Sequence, residues 1–504
     1  MSTAVATEPT RIKLPGINTP KKKASPVLKT GLTDVVAADI GSWDTAFAVQ
    51  VQYVNQAIAA ANVSPTQFTQ TDSTMPATLS GSFGTWQISN GGSGELIEMT
   101  IPITTTQLTY GGNTETLSNL QAIILVNLTY VAQTNGPGNN LIIKPNTTND
   151  PTVSVRNVVQ AGTNQPADPN ALKQAIITAL LTEWFNANVA DFAYVFNTVN
   201  LNQQIDTSWS WLVPTAVSYA FAADPGGDLN TSVFAVLCMT ENRPVPSSEV
   251  STGVIPAAAQ AGFVISNSLY LQSLVLPGLP AMFVNATAAD FFFDTAGVEI
   301  RNVADINMTP IEMNGSERET VIPAGEFILT MQGSEIAIEI KEARLTFSPG
   351  IDIVINYTSY FQLALQPQTG GTQTIIYQAS TVPDHETPVV DHTVEVSTGV
   401  IIAETVAGII ASGIGAAVGF GGPFASLLAK IMVAAAIAIV LNVITNIPGW
   451  MTVVAGKKWD ELPTINLLLT NATDPVDWPG GSTFNPTVVE INTNFVLGGT
   501  MFAA

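Results

Sequence analysis

The sequence predicts an α+β protein in which long helices lie on long antiparallel sheets. Three observations predict it. Two windows carry apolar residues at three- and four-residue steps. Several others are β-branched, Thr-rich and broken by Gly-Gly or Asn-Gly turns. No βαβ alternation links them, which argues against a doubly wound nucleotide fold. At 504 residues the chain suggests two or three domains, or two large β-rich ones. A hydrophobic fraction of 46% rules out a disordered chain. One cysteine, Cys238, excludes a disulfide framework, a zinc-finger cluster and a CxxC redox pair. With 17 Lys+Arg against 39 Asp+Glu, the chain lacks the cations that phosphate neutralisation needs, which argues against nucleic acid.

Residues 1–30 form a basic arm. Arg11, Lys13, Lys21, Lys22, Lys23 and Lys29 stand against Glu8 alone, with Pro9, Pro15, Pro20 and Pro26 between them. The arm lacks helical periodicity and reads as a flexible tail or an extended docking strand. It also lacks the continuous apolar run of a secretory signal. Residues 42–61 follow as an amphipathic helix, with Ser42 or Asp44 as cap and Phe47, Val51, Val54 and Ile58 on one face. Strands run from 78 to 133. A second helix spans 168–196, capped by Asp168 or Asn170, with Leu172, Ile176, Leu180, Trp184 and Phe185 on one face and Phe192 and Phe196 continuing the stripe. Strands return over 209–240 and 262–365, clearest in the alternation of residues 326–333 and 335–348. The last strands are 465–470 and 487–499.

Residues 400–447 stand apart. Two apolar halves, 400–420 and 424–447, flank Gly421-Gly422-Pro423 and carry only Glu404 and Lys430. Each half is long enough to cross a bilayer. Against a span, Lys430 falls roughly 10 Å from the turn at 1.5 Å per residue, and a cation at helix centre costs about 2.5–3.5 kcal/mol. Both halves are Ala- and Gly-rich, and Gly415 with Gly419 permits close backbone approach. Helices buried in a sheet groove are the favoured reading over conditional membrane insertion or a permanent span.

Nothing in the sequence points to catalysis. His385 and His392 are seven apart beside Pro383 and Pro388 and read as a surface loop, over a metal pair or a pH-sensitive hinge. Cys238, in a strand-like run, reads as a buried small residue. Glu299 with Asp305 is a carboxylate pair that spacing alone does not qualify. Trp184, Trp209 and Trp211 with Phe185, Phe192 and Phe196 read as sheet-core packing before an interfacial lipid belt. No catalytic, cofactor or metal residue is assigned, and the expectation is a protein that is not an enzyme.

A resemblance extends this reading. Ser42-Trp43-Asp44-Thr45-Ala46-Phe47-Ala48 and Val54-Asn55-Gln56-Ala57-Ile58 resemble the opening of the clostridial forty-seven-kilodalton accessory proteins of OrfX-type botulinum neurotoxin clusters. The match continues through Trp184-Phe185-Asn186-Ala187-Asn188, Phe196-Asn197-Thr198-Val199-Asn200, Trp211-Leu212-Val213-Pro214, Val236-Leu237-Cys238-Met239-Thr240-Glu241-Asn242-Arg243 and Leu276-Pro277-Gly278. It covers nearly the whole chain after residue 30. The resemblance implies a TULIP-like (tubular lipid-binding) fold, similar to bactericidal/permeability-increasing protein, in which long curved sheets wrap long helices as two tandem units in an elongated body. It divides the chain into the arm 1–30, a first unit 31–245 and a second unit 246–504, with strands free to cross that boundary. It implies a non-enzymatic accessory protein that binds a lipid or other apolar ligand. Ile401, Ile409, Ile410, Leu428, Ile431 and Met432 would then contact that ligand in the groove. The alternatives are a scaffold whose groove is filled by its own side chains and whose surface docks OrfX-like proteins or a toxin complex, and conditional membrane insertion through 400–447. A bacterial cytoplasmic location, with release by a route other than a signal peptide, goes with each.

Overall fold

The computed structural model describes residues 11–12, 36–147, 151–201, 207–308, 310–313, 316–348, 351–367, 373–386, 389–396, 473 and 475–503. The apolar segment 400–447 and the strand expected at 465–470 lie outside the described residues, as do Ile401, Ile409, Ile410, Leu428, Ile431 and Met432. The chain divides into two compact units. Residues 35–266 join 466–504 in the first, and residues 1–34 join 267–465 in the second.

The first unit contains an antiparallel six-stranded sheet in the order Pro214–Ala222, Val233–Thr240, Thr45–Gln50, Ala261–Ile265, Asn494–Thr500, Asn485–Asn492. The two C-terminal strands thus complete a sheet begun at residue 45. Thr45–Gln50 corrects the first half of the helix expected over 42–61: helix α1 begins only at Val51 and runs to Ala61. The cause is burial on both faces. Phe47 lies opposite Val236 and Phe263, and its neighbour Ala46 points to the other side of the sheet against a cluster with Trp43, Ala48, Ala220, Ala235 and Val264. A strand buried on both faces reads as a continuous apolar run, which periodicity cannot tell from a buried helix. At Gly262 the backbone passes so near the preceding turn Thr252–Val254 that a Cβ would sit 2.0 Å from the Val254 carbonyl oxygen.

A nine-stranded sheet completes this unit, its main path running Val476–Asp477, Asn197–Val199, Asn139–Ile143, Asn113–Ala132, Leu96–Tyr110, Ala77–Phe83, Gln67–Asp72. Leu96–Tyr110 and Asn113–Ala132 form the long hairpin that the alternation over 78–133 anticipates. Bulges at Ser82/Phe83 and Ile123/Ile124 bend the strands locally. Helix α2, Ala171–Asn188, packs on this sheet. Asn170 caps it, its side chain accepting from the Leu172 and Lys173 amides at 3.0 and 3.3 Å. The expected helix to 196 stops at Asn188 and a 3₁₀ turn, Val189–Asp191. Beyond it Phe192, Tyr194 and Phe196 recur every second residue, the period of extended chain, and all are buried.

The second unit is built on a ten-stranded sheet whose main path is Arg11–Ile12, Val389–Val396, Ile351–Pro367, Glu335–Ser348, Phe327–Gln332, Glu299–Asn302, Phe291–Asp294. Arg11 of the basic arm pairs with Glu395 and Ile12 with Val394. Ile351–Pro367 is long enough for two neighbours on one edge, Val389–Val396 along 351–358 and Gln373–Ala379 along 361–367. Ile336, Ile338 and Ile340 are buried, as the alternation over 335–348 anticipates. The strand series expected over 262–365 is interrupted at 267–282, where short helical turns replace it. Pro277 and Pro280 explain this, since a ring-locked φ without an N–H suits helical first turns and not a paired strand.

Candidate functional site

The interior of the first unit is a continuous array of rings. Phe68 stacks on Phe83 at 4.4 Å between centroids, and Phe83 meets Trp184 at 4.9 Å and Phe185 at 5.6 Å on α2. Trp86 stacks on Phe192 at 4.8 Å. The extended segment carries the array onward, Tyr194 to Phe196 at 5.2 Å and Phe196 to Phe234 at 5.9 Å. Phe234 meets Trp478 at 5.8 Å, and Trp478 meets Phe47 at 6.2 Å. The rings thus run from α2 and the nine-stranded sheet to the six-stranded sheet. Each such pair contributes about 0.5–1.5 kcal/mol beyond its area. Trp184, Phe185, Phe192 and Phe196 pack as the sequence suggests. Trp209 and Trp211 lie in the helical turn Thr207–Leu212, 5.6 Å from each other.

The Trp43-Asp44 motif has a structural task. Asp44 is buried, and its Oδ2 accepts from the Thr240 amide at 2.7 Å and the Thr240 hydroxyl at 2.9 Å. Its Oδ1 pairs with Arg243 at 2.7 Å, and its carbonyl accepts from the Ser266 amide. Through its carboxylate and its backbone carbonyl together, Asp44 ties the start of its own strand to the ends of the two strands beside it, and the Trp43 indole donates to the Ser247 carbonyl at 3.0 Å. Cys238 lies beside it, buried, with its thiol pushed up to about 12 by burial. That keeps it protonated and removes it from nucleophilic chemistry at neutral pH.

The histidine loop resolves differently for its two members. His392 lies in the strand Val389–Val396 opposite Ile355, which corrects its assignment to a loop. The β-branched residues Val389, Val390, Thr393, Val394 and Val396 around it favour a strand. His385 lies in a turn, but the turn is anchored. Its Nδ1 meets buried Glu335 at 2.6 Å, and its ring stacks on Tyr360 at 3.7 Å. The Ser380 hydroxyl donates to the other Glu335 oxygen. Glu299 and Asp305 serve separate partners, Arg301 and the Ala324 amide. Among the described residues no group of three or more His, Cys, Asp or Glu gathers to hold a metal ion, and no helix is long and apolar enough to cross a membrane.

Trp86, Phe234 and Trp478 complete the array and were missed by the sequence reading. Trp478 sits in Asp477-Trp478-Pro479-Gly480, whose turn residues hide it, while Phe234 is one of eight consecutive buried residues.

The structure is the α+β fold that the sequence predicts, long antiparallel sheets with few helices laid on them. Residues 40–499 match the family described as OrfX-like, Protein OrfX2/OrfX3/P47, and the chain belongs to that family. Protein OrfX3 of Paraclostridium bifermentans is 25% identical over 91% of this chain and 98% of its own length. Protein OrfX3 of Clostridium botulinum (strain Kyoto / Type A2) has the same identity and coverage. The structure of P47 from Clostridium botulinum A2 shares the fold with a TM-score of 0.60 at 15% identity, over 92% of this chain and 98% of that one.

Proposed function

We propose that this chain is a non-catalytic accessory protein of a toxin-type complex, with its first unit acting as a preformed scaffold. The observation that carries this reading is the unbroken ring array between α2 and the two sheets. Side chains of the protein occupy the helix–sheet space that an acyl chain would otherwise fill. The role then falls to the surface, which docks OrfX-like proteins or a toxin complex. Relatives named OrfX3 and P47 support the accessory role.

A second reading rests on the sequence of 400–447, two apolar halves with two charges between them. Their burial against a sheet in the second unit would form a site for an acyl chain, held at roughly 25 cal/mol per Å2 of apolar area. Ile401, Ile409, Ile410, Leu428, Ile431 and Met432 are its proposed contacts.

Native mass spectrometry of the full chain purified without detergent, before and after incubation with mixed phosphatidylcholine and phosphatidylglycerol vesicles, separates the two. The scaffold reading expects the bare protein mass throughout. A stoichiometric lipid adduct removed by organic extraction would replace it with the carrier reading.

A further inference from the structure

Asn197–Val199 and Val476–Asp477 come from distant parts of the chain and pair antiparallel, Thr198 opposite Asp477 and Val199 opposite Val476. The ladder ends there, and continuing its register by one step would set Asn197 opposite Trp478, the residue that follows the strand. Opposed residues of antiparallel strands share a face, with Cβ atoms about 4.5–5.5 Å apart. Both are closed to solvent, Asn197 at 0% exposure and Trp478 at 2%. The Asn197 Oδ1 accepts from the Tyr130 hydroxyl at 3.1 Å. Its Nδ2 donates to nothing, and neither does the Trp478 indole Nε1. A third buried donor without a partner, the Tyr194 hydroxyl, belongs to a ring 5.2 Å from Phe196, the residue before Asn197.

A buried donor without an acceptor costs about 1–3 kcal/mol, and folded proteins satisfy nearly all such groups with protein atoms or ordered water. The Asn197 amide and the Trp478 indole are both donors, and an acceptor from outside the chain satisfies the two together. The surroundings choose its charge. Trp478 lies against Phe47 and Phe234, and Phe196 against Tyr194 and Phe234. None of these supplies a cation, and a carboxylate or phosphate buried without one is strongly disfavoured. Small size and neutrality remain.

We propose that Asn197 and Trp478 together hold one neutral acceptor oxygen inside the first unit. Water and the ester carbonyl of an amphiphile offer the same chemistry to these donors. The oxygen bridges the strand at 197 to the segment at 478, which binds the C-terminal residues into a unit begun near residue 36. The site goes beyond the scaffold reading: a core filled by rings retains one polar slot. The competing arrangement is a rotated Asn197 amide, with Oδ1 turned onto the indole N–H and no bound group.

A crystal structure of the full chain, purified without detergent, tests this directly. The expected result is density for a non-protein oxygen within about 3.2 Å of both Asn197 Nδ2 and Trp478 Nε1. Trp478→Phe, which removes one donor and keeps a ring, loses that density. Native mass spectrometry of the same preparation separates the sources. A bare mass assigns water, and a neutral ester or glyceride mass assigns its carbonyl. Absence of density between the two donors, a direct Trp478–Asn197 hydrogen bond, or an anionic headgroup at the site overturns the proposal, whether or not the Phe variant folds. An ester carbonyl would end the self-filled reading and keep this one. Empty space between the donors would do the reverse.

Discussion

The two units solve the same problem, covering large antiparallel sheets, with different chemistry. In the first unit rings do the joining, and the array from Phe68 to Phe47 passes through α2, an extended segment and both sheets. In the second unit the described rings are fewer and local. Phe283, Phe291 and Phe327 form one triad at 5.5–6.1 Å. Order there comes from the long ladder between Glu335–Ser348 and Ile351–Pro367, and from polar groups set into it. Glu335 with His385 and Ser380 is one such group, and the Tyr270 and Tyr377 hydroxyls, 2.9 Å apart, are another. The difference teaches where each unit is vulnerable. A ring removed from the first opens a gap that several elements share. A polar anchor removed from the second frees one turn.

The largest expected effect follows from that contrast. Phe185 is fully buried and touches Phe83, Trp86 and Trp184. Phe185→Ala is expected to destabilise the first unit by about 3–5 kcal/mol, measured by urea denaturation. A loss below 1 kcal/mol would mean that the rings do not bear on one another as described. Glu335→Ala comes next. It strips His385 and the Ser380 hydroxyl of their shared carboxylate, and the expected cost is about 1–3 kcal/mol. Limited proteolysis should then cut within 380–386 while the first unit stays intact. Cleavage spread over both units would break the comparison.

Titration gives a smaller and more selective effect. Burial pushes the Cys238 thiol of the first unit and the Tyr377 phenol of the second each up to about 12. Both folded values are raised, so the stability they contribute is complete below the unfolded values, near 8.5 and 10. It is lost as pH rises from there towards 12. At pH 8 iodoacetamide should leave Cys238 unmodified in the native chain and alkylate it in urea. Rapid native alkylation would show that the six-stranded sheet opens. The smallest effect belongs to Glu490 on the edge strand Asn485–Asn492, whose carboxyl burial holds above the ordinary range. Its ionised form costs stability at pH 7, and the cost fades as pH falls to where the carboxyl is protonated. Glu490→Gln should stabilise the first unit by about 0.5 kcal/mol or less at pH 7 and by nothing at pH 3.

Much of this was legible from the residues. Asn170 and the stripe through Trp184 and Phe185 mark α2, because a capping side chain and a 3.6-residue period are local signals. The alternation over 335–348 marks a strand for the same reason. Thr45–Gln50 was not legible, since burial on both faces erases its period. Phe192 and Phe196 are four apart, which fits a helix face, and only Tyr194 between them reveals the extended chain. The pairing of Thr198 with Asp477 depends on long-range register and leaves no local mark. Asp44, by contrast, was visible within the family-like motif, but its ties to Thr240, Arg243 and Ser266 needed the fold to bring distant strand ends together.

The central claim is that the helix–sheet space of the first unit is filled by its own rings. Trp86, fully buried against Phe185 and Phe192, reports on that space. The most direct measurement is tryptophan fluorescence of the wild-type chain and Trp86→Phe in vesicles of phosphatidylcholine brominated on its acyl chains. The account predicts that the Trp86 contribution, taken as the difference between the two proteins, is the same with brominated and unbrominated lipid. Selective quenching of that contribution by bromine would place an acyl chain beside Trp86 and contradict a closed core.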